Sequence, residues 1–261
     1  MLPRPATTLW SSKAHFIGVL LPLSPSASWD GVRWSGVVVD HFNKSDIIDL
    51  LKVRNAIGHV RYSTTGDSIS RNIQPLYADL SSGGFACAHN GNLTNASILR
   101  ESLVNQGAIF QSTSDTETIL QLVAKSTRDR MVDKIIDALF QIQGAYSLVI
   151  LTNKKLIGVR DPYGIRPLVL GDLNGAPVLA SETCALDIIG AKYIRDVENG
   201  EIIVISEEGV ESIKPFPKVS ERPCIFERIY FSRPDSIIGG KTVYSYRKNL
   251  GEQLAKENTI D

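Results

Sequence analysis

Three stretches of the sequence carry groups that can bind or stabilise charge. Arg61 begins the segment Arg-Tyr-Ser-Thr-Thr-Gly, and a guanidinium can hold a carboxylate through two parallel hydrogen bonds. Asp115 offers an anion that can pair with an ammonium group. The backbone N–H groups and the carboxamide at Asn90-Gly91 can donate hydrogen bonds to a developing oxyanion. Together these groups suit an α-amino acid whose side-chain carbonyl is under nucleophilic attack.

Each stretch also has a plainer interpretation. Arg61 could be a surface residue beside a solvated turn. An acidic residue such as Asp115 is favoured in the first turn of a helix by the helix dipole alone. Asn-Gly is a strong hairpin signal, so Asn90-Gly91 could be a simple connection. His89 could act as an acid or base, although a histidine beside a turn is more often structural.

The elements predicted around these residues are short strands and helices. Residues 56–62 and 83–89 alternate as strands, and the second strand is predicted to end at the Asn-Gly turn. Residues 93–106 have apolar side chains at helical spacing. Ser114, with Glu117 three positions later, forms a capping-box pattern that predicts the start of the next helix. A further helix is predicted over residues 132–141.

Beyond Gly144 the sequence becomes rich in predicted strands. These strands are joined by turn residues such as Asn174-Gly175 and follow one another as hairpins. No strand-helix-strand alternation indicates a parallel sheet. The prediction is therefore an α+β fold in which helices cover antiparallel sheets. The strands are predicted at residues 146–152, 156–159, 168–170, 178–180 and 201–205.

Composition narrows the possible partners and setting. Lys+Arg and Asp+Glu both number 28, so the formal net charge is zero and neither nucleic acid nor an anionic membrane is favoured as a partner. The three cysteines form no CxxC pair, which disfavours a disulfide framework or a zinc site and fits a cytoplasmic setting. No apolar run is long enough to span a membrane. The sequence has no nucleophile elbow, P-loop or dinucleotide-binding fingerprint.

Taken in order, a series of segments from Gly36 to the end of the chain resembles the amidophosphoribosyltransferase family. The segments are "AIGHVRYSTTG", "NIQPL", "AHNGNLTNA", "GAIFQSTSDTE", "GAYSLV", "RDPYGIRPLVLG", "ASETCALDIIGA", "RDVENGE" and "CIFERIYFSRPDS". The resemblance implies an N-terminal-nucleophile glutaminase domain, a four-layer αββα sandwich, followed by an α/β phosphoribosyltransferase domain. It also implies an oxyanion hole at Asn90 and Gly91. Arg61 and Thr64 are implied to bind glutamine, with Arg61 on its α-carboxylate, and Asp115 is implied to hold the α-amino group.

The reaction that the resemblance implies is the first committed step of purine nucleotide synthesis. Glutamine, phosphoribosyl pyrophosphate and water would give 5-phosphoribosylamine, glutamate and diphosphate. The family enzyme is expected to be a cytoplasmic homo-oligomer that uses Mg²⁺ and, in some members, an iron–sulfur cluster. We expect no cofactor within the present chain, and Cys224 is the one candidate cluster ligand.

The sequence departs from the family pattern at both ends. The family nucleophile is a cysteine at the first position of the mature chain, whereas residues 1–35 contain no cysteine. Cys87 is expected to be a small buried thiol, and Cys184 is expected in a loop with no base beside it. The predicted organisation is an atypical leader over 1–35, non-native or disordered, a glutamine amidotransferase domain over 36–223, and over 224–261 a linker with the first helix of a truncated phosphoribosyltransferase domain.

The departures leave two functional hypotheses. One is an amidophosphoribosyltransferase chain that covers mainly the glutaminase half and lacks the nucleophile. The alternative is a catalytically inactive glutamine-binding or partner-binding fragment, or the product of a pseudogene.

Overall fold

The computed structural model describes residues 16–22, 29–35, 55–61 and 70–258, and the side chains of 55–60 and 71–258. Within these ranges the strands are β1 Phe16–Pro22, β2 Trp29–Ser35, β3 Ile57–Arg61, β4 Leu76–Leu80, β5 Gly83–Leu93, β6 Gly144–Thr152, β7 Leu156–Arg160, β8 Val169–Leu173, β9 Ala176–Ala180, β10 Lys192–Asp196, β11 Ile202–Ser206, β12 Gly209–Ile213, β13 Ile237–Ile238 and β14 Lys241–Thr242. The helices are α1 Ala96–Asn105, α2 Thr116–Lys125, α3 Met131–Leu139, α4 Thr183–Ile189 and α5 Val243–Glu257.

The largest sheet has six strands in the order β12-β11-β7-β6-β5-β4. Two three-stranded sheets have the orders β2-β1-β3 and β10-β8-β9, and β13 pairs with β14. Every strand pair in the described ranges is antiparallel. The predicted α+β fold with antiparallel sheets is therefore confirmed.

One face of the six-stranded sheet packs against helices α2 and α3. Successive side chains of a strand point to opposite faces, so every second residue of β5, β6, β7 and β11 reaches this interface. These strand residues and the helix residues Ile119, Val123, Ile135 and Leu139 form one buried cluster. The strand members of that cluster are Leu76, Phe85, Cys87, Leu93, Tyr146, Leu148, Ile150, Ile157, Val159, Ile202 and Val204.

The opposite face of the six-stranded sheet packs against the smaller sheets. Ile57 of β3 meets Ala86 and Leu151 in one buried cluster. Leu170 of β8 meets Ile203 of β11 in another. Helix α4 then covers the outer face of the β10-β8-β9 sheet through contacts that include Val169 and Leu186. Helix, sheet, sheet and helix thus follow one another as four layers, in agreement with the predicted αββα sandwich.

Several local predictions agree with the structure, and the one for Cys184 does not. Helices α1 and α3 lie within a few residues of their predicted limits, and Asn174-Gly175 forms the turn between β8 and β9, with φ of 54° and 89°. Cys184 was expected in a loop, and this prediction is wrong. It lies in the first turn of α4 and is buried, because that turn packs inward while Asp187 faces solvent.

Two regions bear on the predicted domain limits. Strands β1 and β2 lie within residues 1–35, and the backbone of β1 pairs with both β2 and β3. Residues 224–258 contain a π-helical turn, Glu227–Phe231, and helix α5. The interpretation of 1–35 as a leader and of 224–261 as the start of another domain stays a prediction. No helix among the described residues is both long enough and apolar enough to cross a membrane.

Candidate functional site

The segment Asn90-Gly91 is part of a strand, so the turn predicted there is wrong. Strand β5 runs through both residues to Leu93, and its partner β6 places Asn90 opposite Ser147 and Gly91 opposite Tyr146. Pairing along eleven residues of β5 therefore overrides the local turn preference of Asn-Gly. Asn90 and Gly91 are half-buried, near the C-terminal end of β5.

Gly91 occupies a position that only glycine fits. Its φ is +148°, and a Cβ atom built on it would lie 2.0 Å from the carbonyl oxygen of Ala145 on β6. The same Cβ would lie 2.9 Å from Nε2 of His89. Any side chain at this position would therefore push β5 and β6 apart where the candidate oxyanion donors lie.

Asp115 lies beside these donors, immediately before helix α2. Its Oδ2 accepts a hydrogen bond from the backbone N–H of Leu93 at 2.9 Å. Its Oδ1 lies 3.7 Å from Nδ1 of His89. The carboxylate therefore contacts β5 on both sides of Asn90-Gly91, and its side chain keeps 12% exposure. The structure thus brings Asp115 together with Asn90 and Gly91.

The charge state of Asp115 follows from these contacts. Burial opposes ionisation, but the hydrogen bond and charge of His89 and the N–H groups of Leu93 and Thr116 outweigh it, so the pKa of Asp115 lies below its ordinary value. Asp115 is accordingly an anion at neutral pH. His89 is 3% exposed, and its Nδ1 also lies 3.3 Å from Oγ1 of Thr116. The side chain of His89 therefore links β5 to the start of α2.

The loop ahead of α2 is fixed by contacts that the sequence did not indicate. Glu117 accepts hydrogen bonds from the N–H groups of Gln111 and Ser112, both at 2.7 Å. The buried Asn72 both donates to and accepts from Thr113. The predicted capping box between Ser114 and Glu117 is wrong, because the chain bends back and offers Glu117 nearer N–H groups at 111 and 112. These contacts set the position of Asp115.

Asn90 has a partner on the other face of the sheet, a residue that the sequence analysis did not single out. Nη2 of Arg166 donates to Oδ1 of Asn90 at 2.6 Å. Arg166 follows β7 in the loop 161–166, whose backbone is held by Asp161. The available signal was the run of polar and turn-forming residues, Asp-Pro-Tyr-Gly-Ile-Arg, directly after a buried strand.

Three further residues were predicted to belong to a site: Arg61, Thr64 and Cys224. Arg61 is the last residue of β3, but its side chain and the whole of Thr64 lie outside the described residues. Cys224 is half-buried, and among the residues that the structure describes no three His, Cys, Asp or Glu side chains are grouped to hold a metal ion. The role of Cys224 as an iron–sulfur ligand stays a prediction.

The other two cysteines lie in environments unsuited to a nucleophile. Cys87 is fully buried on β5, and burial, followed by the charge of Asp115, raises the pKa of its thiol well above the ordinary range. Burial also raises the pKa of Cys184. Since the thiolate is the reactive form, neither side chain is activated for attack.

Comparison with known proteins identifies the family of the chain. Residues 59–187 match the family model of a glutamine amidotransferase domain. An amidophosphoribosyltransferase of Rhizobium etli is 52% identical over 244 residues, which cover 90% of this chain and 49% of that protein. The chain belongs to the amidophosphoribosyltransferase family. It spans about half the length of the curated relatives it matches.

Solved structures of the family share the fold. The structure described as the allosteric regulatory enzyme of purine biosynthesis has a TM-score of 0.88 and 41% identity, and the match covers 95% of this chain and 53% of that one. The glutamine phosphoribosylpyrophosphate amidotransferase of Bacillus subtilis, complexed with ADP and GMP, has a TM-score of 0.85 and 40% identity over 94% of this chain and 53% of that one. The fold is therefore that of the glutaminase domain of amidophosphoribosyltransferases.

Proposed function

We propose that this chain is the glutaminase portion of an amidophosphoribosyltransferase and binds L-glutamine at Asn90, Gly91 and Asp115. The observation that carries the proposal is the contact of the Asp115 carboxylate with β5 on both sides of Asn90-Gly91. An anion suited to an α-ammonium group thus lies next to donors suited to a side-chain carbonyl oxygen. Arg61 at the end of β3 would complete the site by binding the α-carboxylate.

In the whole enzyme, the ammonia released from glutamine would react with phosphoribosyl pyrophosphate. The products would be 5-phosphoribosylamine, glutamate and diphosphate. Phosphoribosyl pyrophosphate and Mg²⁺ would be bound by the phosphoribosyltransferase domain of a cytoplasmic homo-oligomer. The names of the relatives support the assignment of the reaction.

A second candidate, glutamine binding without hydrolysis, is favoured by the burial of the thiols of Cys87 and Cys184. The first cysteine in the sequence is Cys87, and its buried thiol has a raised pKa. Hydrolysis through a covalent intermediate needs an activated nucleophile within reach of the carbonyl carbon. A chain with glutamine contacts but no such group would bind glutamine and release no ammonia.

Calorimetric titration with L-glutamine, with D-glutamine as the stereochemical control, tests the binding proposal. Asp115→Asn should weaken L-glutamine binding by about 10- to 100-fold, because a charge-assisted hydrogen bond is lost. Asp187→Asn is the matched control, since Asp187 is exposed on α4 and should leave the affinity unchanged. Ammonia release, measured on the same samples, separates the glutaminase from the binding-only candidate. A folded wild-type chain that binds no glutamine would overturn both.

A further inference from the structure

Arg166 lies between the candidate oxyanion donor and the segment that follows residue 224. Its Nη2 donates to Oδ1 of Asn90 at 2.6 Å. Its Nη1 forms an ion pair with Glu227, and its guanidinium carbon lies 5.1 Å from the centre of the Phe231 ring. The side chain is 16% exposed. The guanidinium is therefore held from two further directions while it contacts Asn90.

The chemistry of the guanidinium fixes the orientation of the Asn90 carboxamide. Arginine has five N–H donors and no acceptor, so the atom of Asn90 that faces it must be the oxygen. The Nδ2 group is then turned away from Arg166 and is free to serve another acceptor. A donor that pulls electron density toward Oδ1 also makes the Nδ2 hydrogens better donors, because linked hydrogen bonds polarise one another.

The loop that carries Arg166 is itself built to hold that side chain. Asp161 is fully buried, and its carboxylate accepts from the N–H groups of Tyr163, Ile165 and Arg166 at 3.0 to 3.1 Å. Nε of Arg160 donates to the carbonyl oxygen of Arg166 at 3.0 Å. The backbone of Arg166 is thus fixed through both its N–H and its carbonyl.

We propose that Arg166 is a positioning residue for the glutamine amide. By holding Oδ1 of Asn90, it directs Nδ2 of Asn90 toward the side-chain carbonyl oxygen of bound glutamine, and Glu227 and Phe231 keep the guanidinium in place. Glutamine as the ligand rests on the proposed function above. The orientation of the Asn90 carboxamide does not, because it follows from the Arg166 contact alone.

Binding of two ligands tests the role. L-Norvaline keeps the α-amino and α-carboxylate groups of glutamine but lacks the side-chain carbonyl. Arg166→Met should weaken L-glutamine binding about five- to tenfold, the effect of one lost hydrogen bond, and leave L-norvaline binding unchanged. In the Asn90→Ala variant, Arg166→Met should weaken L-glutamine binding no further. Arg166→Lys, which keeps the charge, should fall between wild type and Arg166→Met.

The matched control is Arg222→Met. The Arg222 guanidinium carbon lies 5.2 Å from the Tyr163 ring, so this substitution removes an arginine from an aromatic ring next to the same loop but away from Asn90. It should change neither affinity. The proposal would be overturned if Arg166→Met weakened the binding of L-glutamine and L-norvaline equally. It would also be overturned if the losses of L-glutamine affinity from Arg166→Met and Asn90→Ala were additive. Either result would mean that Arg166 acts only on the fold.

A measurement on the free protein keeps the inference testable if the chain binds no glutamine. In a ¹⁵N correlation spectrum, the side-chain amide pair of Asn90 is assigned by its loss in Asn90→Ala. The pair should shift in Arg166→Met and stay in place in Arg222→Met. An unmoved pair in a folded Arg166→Met protein would refute the positioning role, whereas a shifted pair without glutamine binding would retain it and reject only the proposed function.

Discussion

Substitution of Gly91 by alanine would test the close approach of β5 and β6 at the candidate site. The new Cβ would lie 2.0 Å from the carbonyl oxygen of Ala145, a fixed backbone atom. The backbone must also hold an L-residue at φ +148°, which costs about 1–3 kcal/mol. Relief of the clash requires a shift of the strands, which adds roughly 1–3 kcal/mol. We therefore expect Gly91→Ala to lower the free energy of unfolding by about 2–6 kcal/mol, the sum of the two terms.

Gly107 provides the matched control for this experiment. It also has a positive φ, +89°, but no atom lies within 4 Å of a Cβ built on it. Gly107→Ala should therefore lower the free energy of unfolding only by the strain of an L-residue at positive φ, about 1–3 kcal/mol. Urea unfolding followed by circular dichroism gives both values from the midpoints and slopes. Equal losses in the two variants would refute the strand approach described for Gly91, since the clash would then contribute nothing.

Three further predictions concern buried groups. Glu201 is buried, but the hydrogen bonds from Arg195, Ser212 and the N–H of Glu198 outweigh that burial and lower its pKa to about 2. The ionised carboxylate therefore stabilises the fold fully above pH about 4.5, and this stabilisation is lost as the pH falls toward 2. Glu201→Gln should lower the free energy of unfolding by about 2–3 kcal/mol at pH 7. It should also make that free energy less dependent on pH in the acid range. Asp161→Asn should cost about 1–3 kcal/mol in urea unfolding, because one amide oxygen cannot replace two carboxylate oxygens that accept three N–H groups; a neutral effect would contradict those contacts. Iodoacetamide should modify Cys224 before Cys87 and Cys184 in the native protein, as mass spectrometry of peptides would show, and rapid labelling of Cys87 would contradict its burial.

Sequence reasoning predicted the elements whose signals are local. Helices α1 and α3 show apolar residues at helical spacing, and Asn174-Gly175 forms its turn where β8 and β9 are short and need one. Asn90-Gly91 has the same dipeptide, yet it lies inside β5 because Tyr146 and Ser147 of β6 pair with it. A partner more than fifty residues away decided the conformation, and no local pattern indicates that pairing.

Only part of the candidate site was predicted from the sequence, again because some of its contacts join residues that are far apart in the chain. Asp115, Asn90 and Gly91 could be chosen by residue type, since an anion and oxyanion donors are recognisable in a sequence. Arg166 could not, because its contact with Asn90 spans 76 positions and depends on the geometry of the loop after β7. Glu117 was assigned to the wrong partner, since the fold of residues 111–112 brings other N–H groups within its reach.

Asp115 and Asp161 show how the fold gives different roles to two residues of the same type. Asp115 and Asp161 both accept hydrogen bonds from backbone N–H groups. Burial raises the pKa of Asp161 despite its three N–H donors, whereas the neighbouring His89 helps bring the pKa of Asp115 below its ordinary value. Asp115 alone of the pair thus combines a favoured negative charge with a position beside Asn90 and Gly91. The histidine in Ala-His-Asn-Gly-Asn therefore contributes to the site by helping to lower the pKa of Asp115, while Asp161 contributes by fixing the loop that carries Arg166.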